Sequence, residues 1–318
     1  MKKHATVPIL AVLFSVFVWG VSFVSTKVVL VELPPVSIAF FRQLVALVPL
    51  LVMMRLTHEP LRIPRREILS FFVATLFGIV LYFVFENSGL QYTTASNASM
   101  LVAAIPVFAL LTESIADRKR LPFLTLALVL VSIGGVYLVL FEKGLPDLSS
   151  KTFLGNMLVF CAMISWIIYT FMSRRLGKTY NSLKMTTVQS FCSLPLYVPF
   201  LVRESAAWHM PSAPVLMHLA FLGVFCSAGA YVAYLYGLQK LGPILPSAFL
   251  NLIPVVTILT GIVLLQEMPS WSQLIGAALI IGSLTALTIR GAKTAIREVP
   301  ADAAEPEAIA PTPQPDAE

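Results

Sequence analysis

Nine stretches of 18 or more residues without Asp, Glu, Lys or Arg divide this 318-residue chain. They cover residues 4–26, 68–85, 87–112, 121–141, 152–173, 185–202, 205–239, 241–266 and 268–289. A helix needs roughly 20 apolar residues to cross the hydrocarbon core of a bilayer. A tenth apolar segment, residues 35–54, is interrupted by Arg42 alone. The sequence therefore predicts an all-α membrane protein with ten transmembrane helices.

The composition excludes an ordinary water-soluble fold. Apolar residues make up 58% of the chain and charged residues only 12%, which is about half the charged fraction of a typical soluble protein. A soluble domain of this size would lack the polar residues that its surface needs. Lipid is therefore expected to be the main solvent of this chain.

The positions of the basic residues predict the orientation in the membrane. If the N-terminus lies in the cytoplasm, 17 of the 22 Lys and Arg residues fall on the cytoplasmic side, where such residues are enriched in membrane proteins. The first apolar stretch is too long for a signal peptide and has no small-residue cleavage site before Lys27. We therefore expect a multi-pass protein of the cell (inner) membrane with both termini in the cytoplasm.

The chain contains an internal repeat. Gly89-Leu90-Gln91 recurs as Gly237-Leu238-Gln239, and the same offset of 148 places Pro106 on Pro254, while an offset of 147 places Trp19 on Trp166. The repeat predicts a first five-helix unit over residues 7–141 and a second over residues 152–290. Residues 299–318 are rich in Pro, Ala and acidic residues, which predicts a disordered cytoplasmic tail.

The odd number of helices in each unit predicts that the second unit is inverted relative to the first. Inverted repeats are a recurring plan of secondary transporters, whose substrate site lies near the middle of the membrane where the two units meet. A duplicated scaffold without transport activity is the alternative.

Four stretches of the sequence resemble a known family. They are Trp19-Gly20-Val21-Ser22-Phe23, Arg42 in the second span, Tyr92-Thr93-Thr94-Ala95-Ser96-Asn97-Ala98-Ser99 leading to Ile105-Pro106, and Leu252-Ile253-Pro254 ending at Glu267. They resemble the EamA family of the drug/metabolite transporter superfamily, as two tandem units over about residues 8–290. The resemblance implies a ten-helix exporter or permease for small metabolites. The first unit departs from it, because Asp117-Arg118-Lys119-Arg120 stands where a glutamate like Glu267 is expected.

Arg42 is the basic residue deepest within a predicted span. An unpaired charge there costs about 2.5–3.5 kcal/mol, so its side chain is expected to face the interior of the bundle. It could bind a substrate carboxylate, or it could be a structural residue paired with Glu86 or Glu113. Its counterpart in the second unit is the uncharged Gln189.

Paired prolines mark equivalent places in the two units, and an asparagine precedes each of them. Pro106 and Pro254 are each expected to kink a helix and to free a backbone carbonyl one turn back, and such paired interruptions indicate a binding site. Asn97 and Asn251 lie close to these positions. All four are candidates for the cavity wall, although the prolines could merely shape the bundle and the asparagines could satisfy freed backbone groups.

Aromatic and acidic residues complete the set of candidates. Trp19 and Trp166 lie in mid-span, away from the membrane interface where tryptophan concentrates. The predicted aromatic wall of the cavity consists of Trp19, Tyr82, Trp166, Tyr231 and Tyr234; packing of the bundle is the alternative. Glu86 and Glu113 are candidate proton carriers, because burial disfavours the charged form of a carboxyl group, although either could lie in water at the interface. Glu267 is expected to be structural.

Small residues in the last helix predict close packing. Ala278, Gly282 and Ala286 recur at four-residue spacing, which permits close approach of another helix of the bundle or of a second copy.

The sequence lacks the motifs of the common enzyme classes. Gly177-Lys178-Thr179 is not a phosphate loop, because Met172 stands where that motif needs glycine. The four histidines have no zinc spacing, so no cofactor or metal is expected.

The predicted function is secondary transport, most simply the export of small metabolites such as amino acids by alternating access. The expected partners are a small-molecule substrate, the lipid bilayer, and protons or a counter-substrate, with no nucleic acid and no required oligomer. The alternatives are a membrane-embedded enzyme acting on lipid or peptide and an uptake permease of the same fold.

Overall fold

A computed structural model of the chain describes residues 6–116, 122–140, 150–241, 246 and 249–297. The predicted tail at residues 299–318 and the Asp117-Arg118-Lys119-Arg120 sequence lie outside these ranges. The secondary structure of the described residues is helical, without a strand, which confirms the all-α part of the predicted fold class.

Ten helical rods account for most of the described residues, and each overlaps one of the ten apolar stretches. The first five are α1 (Thr6–Val29), α2 (Pro35–Leu56), α3 (Arg65–Leu90), α4 (Ala95–Ala103 and Ile105–Ala116) and α5 (Phe123–Leu140). The second five are α6 (Lys151–Leu176), α7 (Ser182–Glu204), α8 (Ala213–Leu241), α9 (Ile253–Leu265) and α10 (Trp271–Arg297). Within the described ranges, six helices are long and apolar enough to cross a membrane, namely α1, α2, α3, α6, α7 and α8. The apolar helical segments of α5, α9 and α10 are shorter, at 10–17 residues.

The helices of the two halves pack against one another. The main pairs are α1 with α8 and α9, α2 with α7, α3 with α6, α4 with α9, and α5 with α10. Apolar side chains from both halves form one continuous core, including Val12 and Phe23 of α1 and Leu222 of α8. The core is therefore shared between the two halves.

Four connecting turns lie at one end of the bundle, which we call the four-turn end. They are residues 30–34, 91–94, 205–212 and 266–270. Lys27 at the end of α1 donates hydrogen bonds to the carbonyls of Leu90 (2.9 Å) and Thr93 (2.8 Å). The Thr93 hydroxyl donates to Oδ1 of Asn156, in the second turn of α6, at 2.6 Å. Helix α6 therefore starts at the end of the bundle where α1 finishes, so the two helices run in opposite directions.

Four helices are interrupted, at matching places in the two halves. Helix α3 contains a π-helical segment, Leu76–Leu81, and α8 contains one at Leu222–Gly229. The repeat offset of 148 carries residues 76–81 onto 224–229. It also carries Ala104, where α4 is interrupted, onto Leu252 in the turn before α9.

The prolines behave differently from the predicted kinks. Pro106 and Pro254 are each the second residue of a new helical segment, so the interruption precedes the proline. A proline in the first turn loses no helical hydrogen bond and has a suitable backbone angle, which explains why it begins a helix here.

The small-residue face predicted for α10 does not pack against another described helix of this chain. An added Cβ at Gly282 would have no neighbour within 4 Å, and Ala278 is exposed. The close approach between α5 and α10 occurs instead at Gly135 and Gly276, where an added Cβ on either residue would lie 2.7 Å from the other's carbonyl oxygen. The small-residue spacing identified a helix that packs closely but not the face that does so.

Candidate substrate cavity

A cavity of about 40 Å³ lies between the two halves of the bundle. Such a volume holds a few water molecules and is too small for an organic substrate. The lining residues come from α1, α2, α3, α4, α6, α8 and the start of α9: Trp19, Ser22, Phe23, Arg42, Tyr82, Phe83, Glu86, Val102, Ile105, Trp166, Tyr231, Leu250 and Ile253. The described conformation is therefore closed around a space that both halves shape.

Arg42 lies in this cavity, two turns into α2, with 2% of its surface exposed. Its Nε donates a 2.9 Å hydrogen bond to the hydroxyl of Ser227, in the π-helical segment of α8. The guanidinium carbon lies 4.0 Å from the centre of the Phe83 ring, which is a favourable cation–π arrangement. Neither Nη atom forms a hydrogen bond with any described residue. The guanidinium group is thus held by Ser227 at Nε and by the Phe83 ring.

Glu86 lines the same cavity and is 6% exposed. Its Oε1 accepts a 2.9 Å hydrogen bond from the hydroxyl of Tyr82, one turn earlier in α3. Among the described residues no ion pair joins Glu86 to Arg42. The interfacial alternative for Glu86 does not hold, because its side chain lies inside the bundle. The cavity therefore presents one cationic and one acidic group that do not neutralise each other by direct contact.

Aromatic rings from both halves surround these charged groups. The ring centre of Trp19 lies 5.8 Å from Trp166, 5.5 Å from Tyr231 and 5.2 Å from Tyr234. Trp166 also contacts Tyr82 at 5.1 Å. The first two contacts of Trp19 are edge-to-face, an arrangement that the ring quadrupoles favour. The five predicted aromatic residues thus form one connected cluster, in which Tyr234 contacts Trp19 but does not line the cavity.

The π-helical segments bring backbone carbonyls into this region. The Trp19 indole donates a 3.1 Å hydrogen bond to the carbonyl of Cys226, within the π segment of α8. In the other half, the hydroxyl of Tyr231 donates to the carbonyl of Gly78 (3.3 Å) and that of Tyr197 to the carbonyl of Ile79 (3.0 Å). Each π segment is therefore held by side chains of the opposite half. Isolated π turns are common at functional sites.

Four described polar or proline candidates lie outside the cavity lining, namely Asn97, Gln189, Asn251 and Pro254. Asn97 accepts a 2.7 Å hydrogen bond from Gln273 of α10, so it joins α4 to α10. Gln189 accepts a 3.4 Å hydrogen bond from Tyr169, next to the aromatic cluster. Pro254 is buried and follows Ile253, which does line the cavity.

Asn251 is buried in the turn before α9, and no described residue bonds its Oδ1. It lies one residue after Leu250 of the lining, and Nε2 of Gln189 is likewise buried without a partner among the described residues. The side chains of Pro106 and Glu113 lie outside the described residues.

Sequence reasoning missed Phe83 and Ser227, which hold Arg42. No sequence pattern singles out a π-helical turn, and the partners of Arg42 come from helices far apart in the chain. No cluster of three or more His, Cys, Asp or Glu side chains suitable for a metal ion occurs within the described ranges.

Comparison with known proteins identifies the family. A model of the EamA-like transporter family matches residues 6–141 and again residues 153–289. The chain belongs to the EamA-like transporter family. This EamA-like protein is 28% identical over 281 residues to an uncharacterized transporter of Archaeoglobus fulgidus, covering 87% of this chain and 95% of the relative. It is 23% identical to a protein of Streptantibioticus cattleyicolor named a probable terminal-alkyne amino-acid exporter, covering 88% and 93% of the two chains.

A solved crystal structure shares the fold of this EamA-like protein. It superposes with a TM-score of 0.66 at 18% identity, over 90% of this chain and 99% of the other. The family and its relatives make the chain a multi-pass membrane transporter of small molecules and not an enzyme.

Proposed function

We propose that this EamA-like protein is a secondary transporter that exports small metabolites, such as amino acids, across the cell (inner) membrane by alternating access. The observation that carries the proposal is the cavity between the two halves, in which Arg42 and Glu86 are buried together without an ion pair. A zwitterionic substrate offers a carboxylate for the guanidinium group and an ammonium group for the carboxylate or the aromatic rings.

The proposed architecture is ten transmembrane helices in two inverted five-helix repeats, residues 7–141 and 152–290. The opposite directions of α1 and α6 support inversion, because these helices open the two repeats. The matched interruptions in α3 and α8 and in α4 and α9 support duplication. Inverted repeats can exchange conformations, which provides the two-sided opening that alternating access needs.

The proposed orientation places both termini in the cytoplasm and the four-turn end outside. It is supported by the excess of Lys and Arg on the predicted cytoplasmic side.

The proposed driving force is a gradient of protons or of a counter-substrate. Glu86 supports the choice of a proton gradient. It is a buried carboxyl group that faces the cavity and has a single hydrogen-bond donor, Tyr82.

The amino-acid assignment has independent support from a relative. The Streptantibioticus protein that carries an amino-acid exporter name aligns with 88% of this chain.

The test is substrate flux in liposomes that contain the purified protein. A panel of amino acids and amphipathic drugs is loaded on one side, with and without a pH step, and the flux is compared with that of empty liposomes. Movement of at least one amino acid is expected. Failure of every compound to move in either direction contradicts the proposal, and faster inward than outward movement under matched gradients favours uptake over export.

Arg42→Ala should reduce flux of carboxylate-bearing substrates at least about tenfold, since a buried charge pair contributes more than about 2 kcal/mol. Flux of the corresponding amines, which lack the carboxylate, should change much less. The matched control is Arg55→Ala, which removes an exposed arginine from the last turn of the same helix. Equal loss for acids and amines would make Arg42 a structural residue.

A further inference from the structure

Three glutamates at the four-turn end bind the first turn of a helix in the opposite half. Glu204 at the end of α7 accepts hydrogen bonds from the backbone N–H groups of Val36 (3.1 Å) and Ser37 (2.7 Å) and from the Ser37 hydroxyl (2.8 Å). Glu32 in the α1–α2 turn accepts 2.6 Å hydrogen bonds from the backbone N–H and the hydroxyl of Ser212. We call each glutamate with its serine a clasp.

Glu267 forms the third clasp, from the α9–α10 turn to the start of α4. It accepts hydrogen bonds from the backbone N–H groups of Ala95 (3.3 Å) and Ser96 (3.4 Å) and from the Ser96 hydroxyl (3.4 Å). In all three clasps a carboxylate accepts a serine hydroxyl and backbone N–H at the start of a helix; Glu204 and Glu267 accept two first-turn N–H groups, and Glu32 accepts the N–H of Ser212, immediately before α8.

The clasps supply caps that two of these helices lack. Neither Pro34 before α2 nor Ser212 before α8 provides a side-chain cap to its own helix. The N–H groups of the first turn have no partner within a helix, and a negative charge there is favourable. The hydrogen bonds from Ser212 also lower the pKa of Glu32 below its ordinary value. The glutamates therefore satisfy donors that the helices leave open.

All three clasps cross from one family-model match to the other and lie at the same end of the bundle. At the opposite end, the comparable contact among the described residues is a single 2.7 Å hydrogen bond from Asn181 to Glu59, which is exposed. Among the described residues, the side-chain hydrogen bonds between the halves are therefore more numerous at the four-turn end.

We propose that Glu32, Glu204 and Glu267 form a gate that closes the four-turn end over the cavity and must release for the cavity to open there. The gate rests on the proposed alternating access, because movement of one half against the other separates every clasp. Water can solvate both the carboxylates and the helix N–H groups once they separate. Each clasp is accordingly weak enough to open repeatedly, while the three together favour the closed state.

The test measures how fast a reagent reaches the cavity from the four-turn end. Ser22→Cys places a thiol in the cavity wall, and a membrane-impermeant, charged methanethiosulfonate reagent is added to intact cells. The chain with Ser22 unchanged gives the background from native Cys161, Cys192 and Cys226. Glu204→Gln, Glu267→Gln and Glu32→Gln are introduced singly and together. Glu59→Gln is the matched control, because it weakens the contact between the halves at the other end.

Glu204→Gln and Glu267→Gln should each raise the labelling rate up to about fivefold, since a charge at a helix end contributes up to about 1 kcal/mol. The increases should multiply in the triple variant, and the smallest is expected for the exposed Glu32. Glu59→Gln should leave the rate unchanged or lower it. If the triple variant fails to fold, the milder variants Ser37→Ala, Ser96→Ala and Ser212→Ala should each give a smaller increase.

Unchanged labelling in folded variants, or an equal increase from Glu59→Gln, overturns the gate. The assay needs no transported substrate, so the two proposals can fail separately. Increased labelling of a chain that moves no compound in liposomes contradicts the transport proposal, whereas normal flux with unchanged labelling contradicts the gate alone.

Discussion

The side chain of Trp19 has two separate functions at the centre of the bundle. Its ring packs against Trp166 and Tyr231 of the opposite half. Its indole N–H also bonds the carbonyl of Cys226, which the π-helical segment of α8 makes available. Trp166, its counterpart in the repeat, shares the ring contacts, but its indole N–H bonds no described residue. The two tryptophans are therefore equivalent in packing and different in hydrogen bonding.

Trp19→Phe should lower the free energy of unfolding by about 1–3 kcal/mol more than Trp166→Phe does. Both substitutions remove the same atoms from the same cluster, but only the first leaves a buried carbonyl without its donor. Thermal unfolding of the two variants in the same detergent measures the difference. Equal losses would show that the hydrogen bond to Cys226 contributes nothing to stability.

The sequence predicted the charged and aromatic side chains of the cavity better than the amide ones. Arg42 could be placed inside because a lone charge in an apolar span has few alternatives. Asn97 was proposed as a cavity residue from its place at the start of the helix that contains Pro106, yet it bonds Gln273 of α10. An amide side chain is satisfied by many partners, so its polarity alone does not indicate the direction in which it points.

At the scale of helices, the contact between α5 and α10 depends on two glycines. An added Cβ at Gly135 would lie 2.7 Å from the carbonyl oxygen of Gly276 and 2.9 Å from Ile280. An added Cβ at Gly134, the preceding residue, would have nothing within 4 Å. Adjacent glycines in one helix therefore have opposite environments.

Gly135→Ala should destabilise the protein by about 1–3 kcal/mol, because the helices must separate to accept the methyl group. Gly134→Ala should instead stabilise it by about 0.5–1 kcal/mol, since alanine is the better helix former and meets no neighbour. The sign of the change in melting temperature distinguishes the two variants. The same sign for both would contradict the described register of α5 on α10.

Helix interruptions were only partly predictable. The paired prolines indicated equivalent breaks in the two halves, but the breaks lie at Ala104 and in the turn before α9, so each precedes its proline. The π-helical segments of α3 and α8 contain no proline, and their sequences are as apolar as the surrounding helix. Their geometry depends on bonds from the opposite half, such as that from Tyr231 to Gly78, which no local pattern encodes.

At the scale of the whole molecule, the two ends of the bundle differ in their connections. The four-turn end joins α1 to α2, α3 to α4, α7 to α8 and α9 to α10, and α6 begins there.

Long charge-free stretches were sufficient to find the helices, because each stretch has few alternatives to a membrane-spanning helix. Their mutual packing was not predictable, since lipid-facing and buried positions are both apolar.

Cysteine labelling in intact cells checks the proposed orientation. Met210 lies in the α7–α8 turn with 82% of its surface exposed, and Lys178 is exposed in the α6–α7 turn at the other end. A membrane-impermeant thiol reagent should label Met210→Cys in intact cells and Lys178→Cys only after the cells are opened. The reverse pattern would place the four-turn end in the cytoplasm.

The opposite charges of Arg42 and Glu86 have a consequence for the response to membrane voltage. Moving one uncompensated charge through 100 mV changes the free energy by about 2.3 kcal/mol. When both groups are ionised, the empty cavity carries no net charge from these two side chains, and an amino-acid zwitterion adds none. The electric field would then have little effect on either the empty or the loaded form, so any electrical current that accompanies transport has to come from a co-transported ion.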